Sequence, residues 1–366
     1  MPTTILIEPN PSGHRPQVIA AVAPIAARTS DVVVLTSRGA TEHPNFQEYV
    51  GHLHLRVEDR LDEWVPPTRD IAREVAALCR AEDVDRVVML DGDTALKRWW
   101  LDAPRELGLR RRPQVIFMLT RYPARLQLTD WTGWRLRTRA VLAVAAMATG
   151  SLHRLVGYAG RDDMSRGWIV KRVRDLAVCT AHSRDRADLR SELGLPPDRR
   201  LIGVFGGISE RKNSKLIWEA MQLNGIDADL LLAGSVTPEV AAWADSVEPT
   251  QLGRVLVRNE FLGNEVLDKL VASVDVVPLI MTNNGPSGIM GKALSADVSV
   301  VTAGSMVRAR ELLAADGGEV AEIDANSIGT AIERLLARDP EAPRSNTVPP
   351  ATEEEYAETI LGVRRR

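Results

Sequence analysis

The segment LIGVFGGISERKNSKLIWEAM, residues 201–221, decides how the second half of the chain folds. An apolar run ends in Gly206 and Gly207, and an amphipathic stretch follows. The run is typical of a buried strand, and the glycines let backbone amides approach a ligand at the start of the next helix. Because a helix N-terminus favours negative charge, Arg211 and Lys212 complete a predicted diphosphate site. The alternative for this motif alone is a tight strand-to-helix turn with basic surface residues.

Similar apolar runs alternate with helical stretches along the whole chain. They are rich in Val, Ile and Leu, as strands buried on both faces are, so we predict parallel sheets with crossover helices. The predicted strands of the first half are 4–9, 31–37, 52–58, 86–93, 114–120 and 176–181. Those of the second half are 201–207, 229–235, 254–261, 275–280, 298–304 and 319–324.

A Pro-rich, charged interruption at 192–200 separates the two halves. We therefore predict an α/β protein of two Rossmann-like βα domains, 1–190 and 195–345, facing each other across a cleft. The amphipathic tail, about 351–366, is expected to form a helix that packs back on the first domain. Two open α/β sheets bind ligands at the carboxyl ends of their strands.

Composition excludes several classes of protein. The chain has 366 residues, 45% of them hydrophobic and 26% charged, as in soluble globular proteins. It holds no apolar run long enough to cross a bilayer, and MPTTILIEPN lacks the pattern of a signal peptide, so we expect a cytoplasmic protein. Residues 1–200 hold 31 Lys and Arg against 25 Asp and Glu, a basic excess that suggests an anionic partner for this half. No nucleic-acid-binding module accompanies the charge, so nucleic acid is not expected.

A second candidate loop lies in DVVPLIMTNNGPSGIMGKAL, residues 275–294. A strand and a polar turn precede Gly285, Ser287 and Gly288, and an apolar helix follows. Successive amides at a helix start cradle a phosphate well. The alternative is that Ser287 acts only as an N-cap. Two such loops in one domain are stronger support than either alone.

With these motifs, the chain resembles retaining, nucleotide-sugar-dependent glycosyltransferases of the GT-B fold, of the family 4 type. The similarity follows the order GGIS-x-RK-N, LLLAGS, RVLVRNEFL, DVVPLI, GPSG and SVVTAG in the second half, and PNPSGHRP in the first. It implies a donor-binding second domain, an acceptor-binding first domain, retention of configuration, and no requirement for a metal or other cofactor.

The resemblance also assigns roles to individual residues. Catalysis is assigned to His14, Lys212 and Asn284. The implied donor contacts are those to the diphosphate, from Gly207, Arg211, Lys212, Gly285, Ser287, Gly288 and Ile289, and those to the nucleoside, from Glu260, Phe261 and Lys292.

Two positions depart from the family pattern. Where the family often carries two glutamates eight residues apart, this chain has Asn284 and Lys292. An amide can still hydrogen-bond sugar hydroxyls, but it cannot stabilise a developing positive charge. A lysine cannot accept hydrogen bonds from a ribose diol, although it could bind a phosphate or a carboxylate of the donor.

The first half supplies the expected acceptor side. Its candidate residues follow strand-like runs and are Gly13, His14, Arg15, Asp91, Asp93 and Arg121. His14 could bind substrate or shuttle protons, or be an ordinary surface residue. The pair Asp91 and Asp93 resembles the metal-binding D-x-D of a different glycosyltransferase fold, but a turn with an N-cap aspartate or an acceptor contact suits the sequence better, and no metal is expected.

Residues 121–148 combine five arginines with Trp131 and Trp134 and a long apolar stretch. Arginines and tryptophans of this kind are typical of a membrane surface or a lipid-linked acceptor site, which would place the protein on the inner membrane face. The alternative is a helix with one end in the core and the other in solvent.

We therefore predict a glycosyltransferase, hexosyl or related, that moves a sugar from a nucleotide-diphospho-sugar to a glycan, a lipid-linked acceptor or a small molecule. The first alternative is a catalytically silent subunit of the same fold that binds a partner enzyme or a glycan. The second is a nucleotide-sugar epimerase of the same fold.

Overall fold

The computed structural model describes residues 1–13, 15–108, 113–120, 131–165, 167–282, 285–338 and 348–363. Its strands are β1 Thr3–Ile7, β2 Asp31–Ser37, β3 Arg56–Leu61, β4 Val84–Met89, β5 Gln114–Leu119, β6 Arg154–Ala159, β7 Val170–Arg174, β8 Leu201–Phe205, β9 Asp229–Gly234, β10 Val255–Asn259, β11 Val276–Ile280, β12 Ser299–Ala303 and β13 Gly318–Val320. Its α-helices are α1 Arg15–Ala26, α2 Pro44–Tyr49, α3 Thr68–Ala81, α4 Leu96–Leu107, α5 Trp131–Ala148, α6 Arg186–Leu193, α7 Ser214–Leu223, α8 Pro238–Ser246, α9 Asn264–Ser273, α10 Gly288–Ser295, α11 Met306–Ala314, α12 Ala325–Leu336 and α13 Glu353–Leu361.

The chain divides into two compact units. Unit 1 contains Met1–Ala159, Asp163–Leu176 and Ala351–Arg366, and unit 2 contains Gly160–Asp162 and Ala177–Pro350. Each unit is built on one parallel sheet with helices on both faces. The predicted fold class, two Rossmann-like α/β domains, is therefore confirmed at the level of the two sheets.

Unit 1 has seven parallel strands in the order β3-β2-β1-β4-β5-β6-β7. Both faces of the sheet are covered: Ile5 and Ile7 of β1 belong to one core cluster and Leu6 to the other. This two-sided burial explains why the strands are apolar without alternation. Helix α13 completes the second cluster, where the side chain of Tyr356 is 1% exposed.

Unit 2 has six parallel strands in the order β10-β9-β8-β11-β12-β13. In both sheets the strand order reverses next to the first strand of the unit, between β1 and β4 and between β8 and β11. These reversals are topological switch points, where open α/β sheets bind ligands beyond the carboxyl ends of the strands.

The strand assignment was wrong at the end of unit 1. The apolar segment 176–181 is not a strand, whereas β6 and β7 were not predicted. Strand β7 reads VKRVR, and its charged residues are tolerated because β7 forms the edge of the sheet. None of the helices in the part of the chain that the structure describes is long and apolar enough to span a bilayer.

Candidate functional site

The loop after β8 is held in place at the switch point of unit 2. Gly206 has φ +82, a left-handed conformation that glycine adopts without strain. A short 3₁₀ turn, Glu210–Lys212, leads to Asn213, whose side-chain amide donates to the carbonyl oxygen of Ile280 at 2.9 Å. Since Ile280 ends β11, this bond ties the first loop to the neighbouring strand.

Lys212 is buried at the base of this loop. Its side chain is 9% exposed, and its Nζ donates to the carbonyl oxygen of Phe205. Burial, and next the nearby cation of Arg211, lower the pKa of Lys212 to about 8. Within the described chain, no carboxylate forms an ion pair with Lys212 or Arg211. A buried ammonium with only neutral acceptors is costly, so this position is suited to receiving an anion.

Arg308 is a third cation at this edge, and the sequence analysis missed it. It lies in the first turn of α11, where Ser305 caps the helix and its Oγ accepts from the amide of Arg308 at 3.4 Å. The guanidinium donates to Thr302 Oγ1 at 3.2 Å and to the carbonyl oxygens of Ala303, at 3.3 Å, and Met281. Burial and Arg211 lower the pKa of Arg308 to about 10.

One sequence signal could have revealed Arg308. A cation in the first turn of a helix is unfavourable, because the macrodipole is positive there. The segment GSMVRAR, 304–310, places Arg308 three residues after the capping serine, against this preference. Such a placement indicates that another requirement outweighs the unfavourable helix end, and in the structure three acceptor oxygens meet it.

The second loop is a capped helix start beside the same strands. Ser287 Oγ accepts from the amide of Met290 at 3.4 Å, which makes Ser287 the N-cap of α10. At Gly288 an added Cβ would meet no atom within 4 Å, so the approach to the helix start is open. Asn284 lies outside the described residues.

Lys292 is engaged inside unit 2. Its side chain is nearly buried, and its ammonium donates to Asp268 Oδ1, to Asn264 Oδ1 at 2.6 Å and to the carbonyl oxygen of Val178 at 3.4 Å. Asp268 also accepts from the amide of Thr180 at 2.8 Å. The ammonium of Lys292 thus links α10 to α9 and to residues 178–180. These contacts give Lys292 a structural role, which is an alternative to the predicted nucleoside contact.

The other predicted nucleoside residues follow β10. Glu260 forms an ion pair with Arg258 at 2.9 Å, and its amide donates to the carbonyl oxygen of Gly234 at 3.2 Å. Phe261 is 50% exposed. Since β10 lies two strands from β8, these residues occupy the same edge of the sheet but not the switch point itself.

At the switch point of unit 1, charges are paired instead. Arg15, the first residue of α1, forms an ion pair with Asp91 at 3.0 Å, and its Nε lies 3.7 Å from Glu8 Oε1. Glu8 also accepts from the amide of Asn10 at 3.0 Å. Its side chain is 3% exposed, and burial raises the pKa of Glu8 to about 8; Arg15 lowers this pKa and Asp91 raises it.

Glu8 was not among the predicted residues, although it directly ends the apolar run TILIE. Of those predicted nearby, Gly13 has φ +68 and open space at its Cβ position. His14 and Arg121 lie outside the described residues.

Asp93 belongs to the same edge of unit 1. It accepts from Thr120 Oγ1 at 2.6 Å and from the amide of Thr120 at 3.1 Å, and it pairs with Arg139 of α5. Asp91 and Asp93 are thus each neutralised by a different arginine. This arrangement disfavours the alternative in which both carboxylates hold one metal ion.

Comparisons with known proteins agree with this architecture. No protein-family model matches the chain, and no curated protein sequence is significantly similar to it. Among solved structures, sucrose-phosphate synthase from Thermosynechococcus elongatus is similar with a TM-score of 0.64 and 17% identity, over 99% of this chain and 95% of that one. Anabaena HepE in complex with UDP-glucose is similar with a TM-score of 0.61 and 15% identity, over 98% of this chain and 93% of that one. WaaG, a glycosyltransferase involved in lipopolysaccharide biosynthesis, is similar with a TM-score of 0.61 and 14% identity, over 99% of this chain and 100% of that one.

These neighbours have the GT-B fold, and their similarity extends over nearly the whole chain. The predicted GT-B fold is therefore confirmed. At identities below a fifth, the similarity defines the fold and not the reaction.

Proposed function

We propose that the protein is a glycosyltransferase that uses a nucleotide-diphospho-sugar as donor. Unit 2 would bind the donor, and unit 1 would bind the acceptor. The observation that carries the proposal is the group of cations at the switch point of unit 2, where Lys212 contacts the carbonyl oxygen of Phe205 at the end of β8 and Arg308 contacts that of Met281 just after β11. Two phosphates would supply the negative charge that this edge is suited to receive.

In the proposed mechanism, the leaving diphosphate is stabilised electrostatically. Lys212 and Arg211 would face the charge that develops on the leaving group, and the amides at the start of α10 would hold the distal phosphate. Arg308 is fully buried and would add positive potential without touching the ligand. Groups fixed in advance by hydrogen bonds need little reorganisation during the reaction. In this proposal no metal ion is required, because the side chains supply the positive charge.

The acceptor side would be the paired edge of unit 1. A network of Glu8, Arg15 and Asp91 presents both donors and acceptors without a large net charge, which suits the hydroxyl groups of a glycan. Retention of configuration and a hexosyl donor are further parts of the proposal, and both rest on the family resemblance.

A silent subunit of the same fold is a second candidate. The contacts of Lys292 favour this candidate. They occupy the ammonium group of a residue that the family resemblance assigns to donor binding. Such a subunit would bind no nucleotide.

A nucleotide-sugar epimerase is a third candidate. A putative UDP-N-acetylglucosamine 2-epimerase from Listeria monocytogenes is similar with a TM-score of 0.58 and 12% identity, over 98% of this chain and 94% of that one. An epimerase would convert its nucleotide-sugar without any acceptor.

Calorimetric titration with UDP, GDP, ADP and TDP, with and without magnesium, tests the proposal. UDP is a natural first ligand, because HepE was solved with UDP and UDP-glucose. Micromolar binding of one nucleotide without metal supports a working donor site. If none of the four binds, the donor site is refuted and the silent subunit is favoured. Incubation with the matching nucleotide-sugar, followed by NMR of the sugar, then distinguishes transfer from epimerisation.

A further inference from the structure

Helix α5 presents large apolar side chains to solvent along one face. Trp131 is 81% exposed, Trp134 45%, Val141 69% and Val144 45%. At about 100° per residue, these four positions fall on one half of the helix. The opposite half packs in unit 1, where Ala143 is fully buried.

The helix is also basic. Its sequence, WTGWRLRTRAVLAVAAMA, contains three arginines and no acidic residue. Arg139 is used inside the unit by Asp93, whereas Arg135 is exposed on the same half as the tryptophans. Exposed tryptophan beside arginine differs from the surface of an ordinary solvated helix, which would place polar residues there.

Helix α4, next to α5, also exposes basic and aromatic residues. Helix α4 packs against α5 and exposes Lys97, Arg98 and Arg105. Trp100 of α4 is 38% exposed. Between Lys97 and Arg139, the sequence holds 11 basic residues and 3 acidic ones. The exposed surfaces of α4 and α5 therefore combine positive charge with aromatic rings.

We propose that this surface of α4 and α5 binds the surface of an anionic lipid bilayer. Indole rings partition to the boundary between headgroups and acyl chains, where one end is apolar and the other wet. Arginine and lysine beside them are attracted by anionic headgroups. Helix α5 has 18 residues and is about 27 Å long, and with its apolar face toward the bilayer it would rest in the plane of the interface.

The positive charge decides between a bilayer and a second protein chain as the occupant. Two copies of this surface would repel each other, because each exposes Lys97, Arg98, Arg105 and Arg135. An anionic membrane accommodates both the apolar and the basic residues. The inference goes beyond sugar transfer, because it concerns where the protein binds and not what it transfers.

Sedimentation with vesicles tests the proposal. The full chain is mixed with vesicles of phosphatidylcholine alone, or of three parts phosphatidylcholine to one part phosphatidylglycerol, at low and at high salt. We expect binding to the anionic vesicles that weakens with salt, because surface charges are screened. Weak or absent binding is expected with the neutral vesicles.

A matched pair of variants locates the contact. Trp131→Ala/Trp134→Ala removes two tryptophans that are 81% and 45% exposed. The control Trp168→Ala/Trp64→Ala removes two others of unit 1 that are 89% and 46% exposed, in other segments. The first variant should bind anionic vesicles at least about tenfold more weakly, and the control should bind as the wild type does. Arg135→Glu should weaken binding by roughly tenfold, from the loss of one charge and the gain of its opposite.

Three results would overturn the inference. These are the absence of binding to anionic vesicles, equal binding to both vesicle types, or equal losses in the two tryptophan variants. A change of oligomeric state in Trp131→Ala/Trp134→Ala alone would identify a second copy of the chain as the occupant instead. Nucleotide titration without vesicles should be the same in all variants, so a failure here is separable from a failure of the donor site.

Discussion

The two switch points have the same topology but opposite electrostatics. In unit 1, the cation of Arg15 is shared between Glu8 and Asp91, and Asp93 is paired with Arg139. In unit 2, Lys212 is buried against a carbonyl oxygen, with Arg211 as its charged neighbour. One edge is balanced internally, and the other keeps unbalanced positive charge.

This difference indicates that the fold sets the position of a site and that the side chains set its ligand. Both sheets direct loops beyond the carboxyl ends of their strands, as open α/β sheets do. A balanced edge suits neutral hydroxyl groups, whereas a cationic edge suits phosphate. If the comparison is correct, changing the charge of one edge should change its ligand without changing its fold.

The largest effect is expected when a carboxylate is placed at the cationic edge. An added Cβ at Gly207 meets no atom within 4 Å, so the position has open space for the start of a side chain such as that of Gly207→Asp. The new carboxylate would pair with Lys212 or Arg211 and repel a diphosphate, and we expect binding of the preferred nucleoside diphosphate to weaken by about 3 kcal/mol or more. Calorimetry measures this loss. The neutral isostere Gly207→Asn should lose far less; an equal loss in both would mean that shape, and not charge, governs the site.

Removal of the buried ammonium should have the next largest effect on nucleotide binding. Lys212→Ala should weaken nucleoside-diphosphate binding by about 1–3 kcal/mol, the scale of a lost charged hydrogen bond. Lys215→Ala is the matched control, because Lys215 is an exposed residue of the same segment that pairs with Glu210 at 3.5 Å. Unchanged affinity in Lys212→Ala would remove Lys212 from the proposed donor site.

At the balanced edge, the protonation of Glu8 should appear in stability. Because burial raises the pKa of Glu8 to about 8, the folded protein holds a proton that the unfolded chain releases at an ordinary carboxyl pKa. The unfolding free energy of the wild type should therefore fall as the pH rises from about 5 to 8. Glu8→Gln keeps an oxygen acceptor for the amide of Asn10 and cannot ionise, so it should be more stable than the wild type by roughly 4 kcal/mol at pH 8 and by less than about 1 kcal/mol at pH 5.

Denaturation at several pH values checks this difference. Glu42→Gln, at an exposed glutamate of the same unit, is the control and should leave the pH dependence of the wild type in place. If Glu8→Gln retains that dependence as well, another group is responsible and the account of the balanced edge fails.

The smallest effect is the pH dependence of nucleotide binding. Burial lowers the pKa of Lys212 to about 8, so the free site carries its charge below that pH and loses it above. With the charge of the nucleotide itself accounted for at each pH, the binding free energy should be nearly constant from pH 6.5 to 7.5. At pH 9 binding should be weaker by about 1 kcal/mol. Lys212→Ala should lack this decrease. A decrease of the same size in that variant would show that Lys212 does not titrate in the free site.

Much of the fold could be predicted from the sequence, but the geometry of the two sites could not. Runs of Val, Ile and Leu predicted the central strands because both faces of each sheet are covered. Strand β7 was missed because an edge strand can carry Lys171, Arg172 and Arg174, whereas the apolar segment 176–181 was assigned as a strand although it only connects elements. Periodicity cannot distinguish an apolar connection from a strand.

The candidate sites show the same limit. Lys212 was predicted because its loop and helix are contiguous in the sequence. Arg308 was missed because its contacts with Met281 and Ala303 form only when β12 lies beside β11, and Glu8 because burial and the resulting pKa are properties of the folded unit. Lys292 was predicted to contact the nucleoside, and its partner Asp268 lies 24 residues earlier in the chain. Contacts of this range depend on helix packing.

Helix α13 has a consequence for how the chain acquires its structure during synthesis. Its residues Tyr356, Ala357, Ile360 and Leu361 fill the core of unit 1, yet the ribosome makes them after all of unit 2. A nascent chain that has reached residue 350 therefore holds the sequence of unit 2 and a unit 1 whose second apolar cluster lacks the side chains of α13. Newly made protein should thus be most vulnerable to aggregation and to chaperone binding through its first unit, until the closing helix arrives.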